Sequence, residues 1–315
     1  MKRLQNRIAE SRFALPVTAV YVLAAWLACG LVQQRLYAEF ALFAVSAYLM
    51  VELNNRNSLI RIYSRMVSCT FLVLSTMAAA AFMTPVLASA DAWLVQLCFI
   101  GAYLMLFSAY QDKRAQGKVF YAFMFIGVAS VVFVQALFFV PILLILAGTN
   151  LMAFSGRNFW AALIGLTVPY WFYGGYCALT GNTAYIMTHF AANAWVAPPA
   201  WQADISISGI ATISFTLLVT LIGSAHFLRN SYKDKIRTRM IYEMLISMSA
   251  FTIVFMALQP QHAAMLTGIQ IINASPLAAH FIALTNTRLT NITFCLLAIA
   301  ALAITAFNIL TGGAI

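Results

Sequence analysis

From Phe13 to Leu310 the chain is a series of apolar runs separated by short polar connectors. Most runs are close to the ~20 residues that an α-helix needs to cross a bilayer. In hydrocarbon every backbone N–H and C=O must find its partner within the protein, which leaves only helices and closed barrels. Long continuous apolar runs select helices. Composition points the same way: 63% of the residues are hydrophobic and 8% charged, whereas about a quarter of a soluble domain is charged. The expected fold is all-α, a polytopic helical membrane bundle. No polar segment is long enough to fold alone, so residues 1–315 are expected to form a single integral membrane domain.

One run does not fit the pattern. Residues 119–151 are apolar throughout except for Gln135 in the interior, with Pro141 shortly after it. A single helix of that length is roughly 50 Å long, against a hydrocarbon core of ~30 Å. Split near Gln135, each half has about 16 residues, slightly short of a span. Charge decides where the run must end. If it returns to the side it left, all 18 Lys and Arg residues except Arg35 fall on one side of the membrane; if it crosses once, the two sides share them almost evenly. The positive-inside rule selects the return and makes the N-terminus cytoplasmic and the C-terminus external. The expected bundle has about 11 transmembrane segments, or about 9 plus a re-entrant hairpin at 119–151.

The remaining features fill in this frame. Lys2, Arg3, Arg7 and Arg12 precede the run at 13–32, which is too long for a signal peptide and is expected as a retained first helix. Ala78, Ala79, Ala80 and Ala81 offer a small-residue face for close helix packing. In the run at 263–284, Asn273-Ala274-Ser275-Pro276 is expected to interrupt the helix. Residues 180–208, outside the membrane, are expected to carry a short interfacial helix ended by Pro198 and Pro199. The net charge of +10 comes from short clusters next to apolar runs, which implies anionic lipid as the partner and no nucleic acid. The five cysteines lie within apolar runs without CxxC spacing, so no metal and no cofactor is expected.

Chemistry is expected at the two membrane surfaces, because no Asp, Glu, Lys or Arg falls near the centre of an expected helix. On the outer side Glu39 is the one carboxylate placed to serve as a catalytic base, with Arg35 one turn before it; the pair also suits a simple i,i+4 contact. The loop at 180–208 brings Tyr185, His189, Asn193, Trp195, Trp201 and Asp204 next to Tyr173, an aromatic set suited to a sugar ring or a lipid headgroup. On the inner side Asn55, Arg56, Arg61, Arg65 and Arg229 form a basic, amide-bearing set that suits a phosphate. His226 and His280 are expected as interfacial and interhelical polar residues.

The connector at 54–65, the Lys113-Arg114 loop ending at Lys118, and Asn158-Phe159-Trp160 with Pro169-Tyr170-Trp171 resemble a family of bacterial multi-pass inner-membrane proteins without an established activity. More distantly, the chain resembles membrane glycosyltransferases and polysaccharide polymerases that use polyprenyl-linked sugars. The resemblance implies a protein of the bacterial inner membrane and cell envelope, with a lipid-linked glycan as partner and transferase or polymerase chemistry that draws on an outer carboxylate such as Glu39. A lipid-linked substrate carrier or flippase, or a non-enzymatic scaffold subunit of a membrane complex, fits the same residues.

Overall fold

The computed structural model describes residues 3–60, 65–82, 90–182, 184–194 and 205–312. Among them every regular element is a helix. In chain order these are α1 (Leu4–Glu10), α2 (Ala14–Ala28), α3 (Tyr37–Asn57), α4 (Arg65–Phe82), α5 (Ala90–Ser108), α6 (Gln116–Val132), α7 (Phe139–Thr149), α8 (Gly156–Leu179), α9 (Ala184–Ala194), α10 (Ile207–Asn230), α11 (Ile236–Leu258), α12 (Ala263–Leu284) and α13 (Arg288–Gly312). Six of them, α4, α5 and α10 to α13, are long and apolar enough to cross a membrane. A seventh span is reached if α1 and α2, bent by 91° at their junction, count as one. The expected unbroken run at 13–32 is therefore preceded by a separate short helix lying across its end.

The bundle is built around α12. Inside the structure 83% of its apolar window is buried, against 17% for α13, so α12 is the hub and α13 sits at the rim. It is also continuous: Pro276 lies inside the helix, where the sequence predicted an interruption. Proline removes one helix donor, here the one the Ile272 carbonyl would receive, and clashes with the preceding turn; neighbouring helices bond the carbonyls of Ser275 and Pro276 beside it. Tyr242 of α11 donates to the Pro276 carbonyl (3.3 Å) and Thr70 of α4 donates to the Ser275 carbonyl (2.9 Å). Ser275 donates back to Ile271 (2.6 Å) and Asn273 to Ile269 (3.2 Å), both within α12. Tertiary contacts thus override the local breaker, as they do elsewhere in membrane bundles.

Side-chain amides tie the hub to α10, α11 and α5. Gln270 donates to Thr220 of α10 (3.1 Å) and Ser249 of α11 (2.7 Å). Asn273 accepts from Tyr103 of α5 (2.9 Å), and Gln96 of α5 donates to the Gly268 carbonyl (3.2 Å). These pairings fix direction: α10 and α5 run parallel to α12, and α11 runs against it. Gly223 of α10 faces Leu277 so closely that a Cβ there would lie 2.6 Å from a backbone carbon. The same device joins α6 to α8, where a Cβ on Gly165 would lie 2.2 Å from the Phe120 carbonyl oxygen. Ala78 to Ala81 of α4 are buried, as a close-packing face requires.

The long run at 119–151 is broken. Phe133 leaves the helical region (φ −128, ψ 90), a 3-10 turn covers Val134–Phe138, and α7 follows. With 17 and 11 residues, α6 and α7 are roughly 25 and 17 Å long, both shorter than the hydrocarbon core. Their outer ends meet: the Gln111 amide donates to the Leu151 carbonyl (2.8 Å), and Ser155 donates to the Lys113 carbonyl (3.0 Å). The chain leaves and returns at one place. Close backbone packing at Gly223 yields a test. Gly223→Val should cost ~1–3 kcal/mol and lower the melting temperature in detergent, whereas Gly117→Ala, which meets open space, should be neutral. Equal melting temperatures for the two variants would contradict this packing.

Candidate functional site

Contacts gather many helix ends on one face of the bundle. Arg237, at the start of α11, donates to Asn57 at the end of α3 (2.9 Å) and to the Phe107 carbonyl at the end of α5 (3.2 Å). The ends of α10 and α12 lie there with the starts of α4 and α13, and so do both ends of the α6–α7 segment. Of the described Lys and Arg residues only Arg35, in the turn between α2 and α3, sits at the opposite end, near Trp26 and Trp93.

Helix α1 is pinned across this face, with Gln5 and Ala9 buried. Gln5 is fully buried; its side-chain amide donates to the Ile282 carbonyl (2.7 Å) and the Thr285 hydroxyl (2.6 Å), and its backbone amide donates to Asn291 (3.0 Å). Asn6 donates to the Thr285 carbonyl (3.3 Å). The last carbonyls of a helix have no partner within it, and α1 supplies donors to those of α12 while bridging to α13. The composition of the N-terminus predicts its charge but not this anchoring.

Beneath α1 lies a cavity of about 380 Å³ between α2, α4, α10, α12 and α13, within the ~300–1,000 Å³ of pockets that hold small ligands. Its walls are apolar, with Val73, Phe215, Val219, Ala278, Leu297 and Ala301 among them. The two threonines in the lining turn inward: Thr18 donates to Ala14, and Thr70 to Met66 and Ser275. Phe13 and Val17 also line it and are 72% and 66% exposed, so the cavity reaches the surface along α2 as a groove. Ser11 marks its basic end, with Arg12 next in the chain, and Arg65 donates to the Ser11 carbonyl (3.3 Å).

Beside the same end three ionisable side chains meet. His280 of α12, 1% exposed, makes a 3.0 Å contact from Nε2 to Asp234 Oδ2 and a 3.3 Å contact from Nδ1 to His226 Nδ1 of α10. Rings of Phe227 and Tyr242 pack on His280 with centroids 5.3 and 5.1 Å away, and Phe281 packs on His226 at 5.6 Å. Both histidines are legible in the sequence as polar residues of apolar helices. Asp234 is not: it is a lone acid in the most basic loop, and its meeting with His280 depends on the parallel packing of α10 and α12.

The other sequence candidates separate. Arg56 is exposed and paired with Glu52 one turn earlier, so its charge is already partnered. Asn55 and Arg229 are exposed on the same face, while Arg61 lies outside the described residues. On the opposite face Glu39 sits in the first turn of α3, half-buried, with Arg35 exposed before it; Glu39 lines neither the groove nor the smaller cavity beside Trp93. Of the outer aromatic set, Tyr173 and His189 meet with ring centroids 5.8 Å apart. His189 also contacts the Ser130 carbonyl (3.0 Å), and Tyr170 donates to the Ser130 hydroxyl (2.8 Å), so α8 and α9 close over the inner tip of the α6–α7 segment. Trp195, Trp201, Asp204 and the side chains of Tyr185 and Asn193 lie outside the described residues. Among the described residues no cluster of three or more His, Cys, Asp or Glu is arranged to hold a metal ion. No protein-family model, curated protein or solved structure matches the chain.

Proposed function

We propose that this protein is an integral protein of the bacterial inner membrane that binds an anionic lipid in the groove below α1, and acts on or moves that lipid. The observation that carries the reading is the pairing of an apolar groove, open along α2, with Arg65, Ser11 and Arg12 at its basic end. An acyl or polyprenyl chain matches the walls, and a phosphate at the mouth matches the guanidinium groups. A lipid-linked glycan is one substrate of this kind, and its phosphate supplies the same chemistry.

In this reading the basic face is cytoplasmic and the groove opens in the inner leaflet. The less apolar helices α3 and α8, with 21 and 24 residues, also cross the membrane. The α6–α7 segment is then a re-entrant hairpin whose tip lies under α8 and α9. The C-terminus emerges outside. The carrier and the transferase readings share this groove.

Two measurements test this reading. In a cysteine-free background, Lys113→Cys and Arg157→Cys should label only from the cytoplasmic side and Gln34→Cys only from outside; labelling of 113 and 157 from opposite sides would overturn the hairpin. In native mass spectrometry the purified protein should retain phosphatidylglycerol in preference to phosphatidylcholine. Arg65→Gln, which removes a charge-assisted bond worth ~1.5–3 kcal/mol, should weaken retention about tenfold or more. Val17→Trp should block the groove from its exposed wall. Equal retention of both lipids by all three proteins would overturn the lipid site.

A further inference from the structure

The groove has a floor. From the basic end its lining runs along α4 from Met66 to Leu74 and along α13 from Phe294 to Ala301; on α10, which points the other way, it runs from Ile222 back to Phe215. Leu74, Phe215 and Ala301 therefore lie at the deep end, and all three are buried. One helical turn beyond them lie Tyr21, Met77, Thr212 and Thr305, with Asn308 a turn beyond Thr305, and none of these five lines the cavity.

These deeper residues are bonded to one another. Tyr21 of α2 donates to the Thr305 hydroxyl of α13 (2.8 Å), and Thr305 donates to the carbonyl of Ala301 in the floor (2.8 Å). Asn308 uses both of its amide hydrogens, one on the Met77 carbonyl of α4 (3.1 Å) and one on the Thr212 hydroxyl of α10 (2.9 Å). Met77, Thr212 and Asn308 are fully buried. Four of the helices that wall the groove are thus fastened together just past its end, by the kind of bond that fixes neighbours in lipid. A chain extending further would have to part α13 from α4 and α10 and leave an amide unpaired in hydrocarbon.

The dimensions suit one alkyl chain. Met66 to Leu74 is a depth of about 12 Å at 1.5 Å per residue. Three backbone bonds of an extended residue span ~3.3–3.6 Å, so an extended carbon chain advances ~1.2 Å per bond and reaches the floor at about its tenth carbon. The volume of about 380 Å³ has room for about a dozen groups the size of a water, which takes ~30 Å³ in the liquid and is close in size to a methylene. We propose that the groove is a blind slot: it takes one alkyl chain of an inner-leaflet lipid as far as Phe215 and Ala301, which set the depth, and it gives no route to the outer leaflet. The proposal rests on the lipid reading above and decides between its two forms. The phosphate stays at the end where the chain entered, so the groove holds a lipid for a step at the inner surface and does not carry it across. The second chain of a phospholipid, and carbons in excess of the depth, lie over the exposed wall at Phe13 and Val17.

Photocrosslinking measures the depth. The full chain is reconstituted in nanodiscs with phosphatidylglycerol that carries a diazirine at the fourth, tenth or sixteenth carbon of one chain, and the crosslinked residues are mapped by mass spectrometry. The fourth-carbon probe should mark Cys69, and the tenth-carbon probe should mark Leu74 and Phe215, which are buried and reached through the groove. The sixteenth-carbon probe should mark the exposed face of α2 and should leave Met77, Thr212 and Asn308 unmarked. Ala301→Phe, which fills the floor, should lower the tenth-carbon yield at Phe215 about tenfold and leave the fourth-carbon yield at Cys69 unchanged. Crosslinks from the sixteenth carbon to Met77, Thr212 or Asn308, at a yield matching that at Leu74, overturn the blind slot and leave the lipid reading standing. So does an Ala301→Phe protein with the tenth-carbon yield of the parent. A lining that no probe marks overturns both.

Discussion

The bundle depends on burying one helix that is poorly suited to burial. α12 carries two amides, a histidine and a proline through the centre of the structure, and each polar group left alone in that surrounding would cost ~1–3 kcal/mol. The surrounding helices meet most of these groups, and Gln270 Oε1 alone of the two amides' oxygens stays without a partner. Tyr103, Thr220, Ser249, Tyr242 and Thr70 each meet a polar group of α12. Hydrophobic contact alone does not distinguish one helix neighbour from another in lipid, so these bonds and the close approach at Gly223 set who packs on whom and in which direction. The parallel placement of α10 on α12 brings His226 to His280.

From this hub the basic face follows. The ends of α12 and α10 and the starts of α11 and α13 lie together there, and Arg237 ties two further helix ends to them. α1 then closes the face, using Gln5 and Asn6 as donors to the last carbonyls of α12. The groove is what remains between α2 and α13 once α1 is pinned above it. Its apolar walls come from the faces of α2, α4, α10, α12 and α13, and its basic rim from the clustering of Lys and Arg at this end of the bundle.

The sequence carried the fold class because apolar length and charge placement are local properties. It also carried the break in the run at 119–151, which is centred on Gln135, though residues 133–138 rather than Pro141 make the turn. It failed at α12 for an equally physical reason. Asn273-Ala274-Ser275-Pro276 is a helix breaker by propensity, yet the helix runs through it, with donors from three other helices bonded to it. The expected basic, amide-bearing set separates in space: Arg56 pairs with Glu52, whereas Arg65 donates to the Ser11 carbonyl at the end of the groove. Asp234 was hidden because nothing in its neighbourhood in sequence links it to a histidine 46 residues later.

The groove and the basic residues at its end lie on the face of the bundle opposite to Glu39. A lipid chain in the groove would place its phosphate beside Ser11 and the guanidinium of Arg65. The most direct measurement is a cryo-electron microscopy map of the full chain in nanodiscs of phosphatidylethanolamine and phosphatidylglycerol. Continuous rod-like density is expected between α2 and α13, widening into a headgroup beside Ser11 and Arg65. Side chains folded into that space, or a groove empty of density in a map that resolves lipids elsewhere around the bundle, would contradict it.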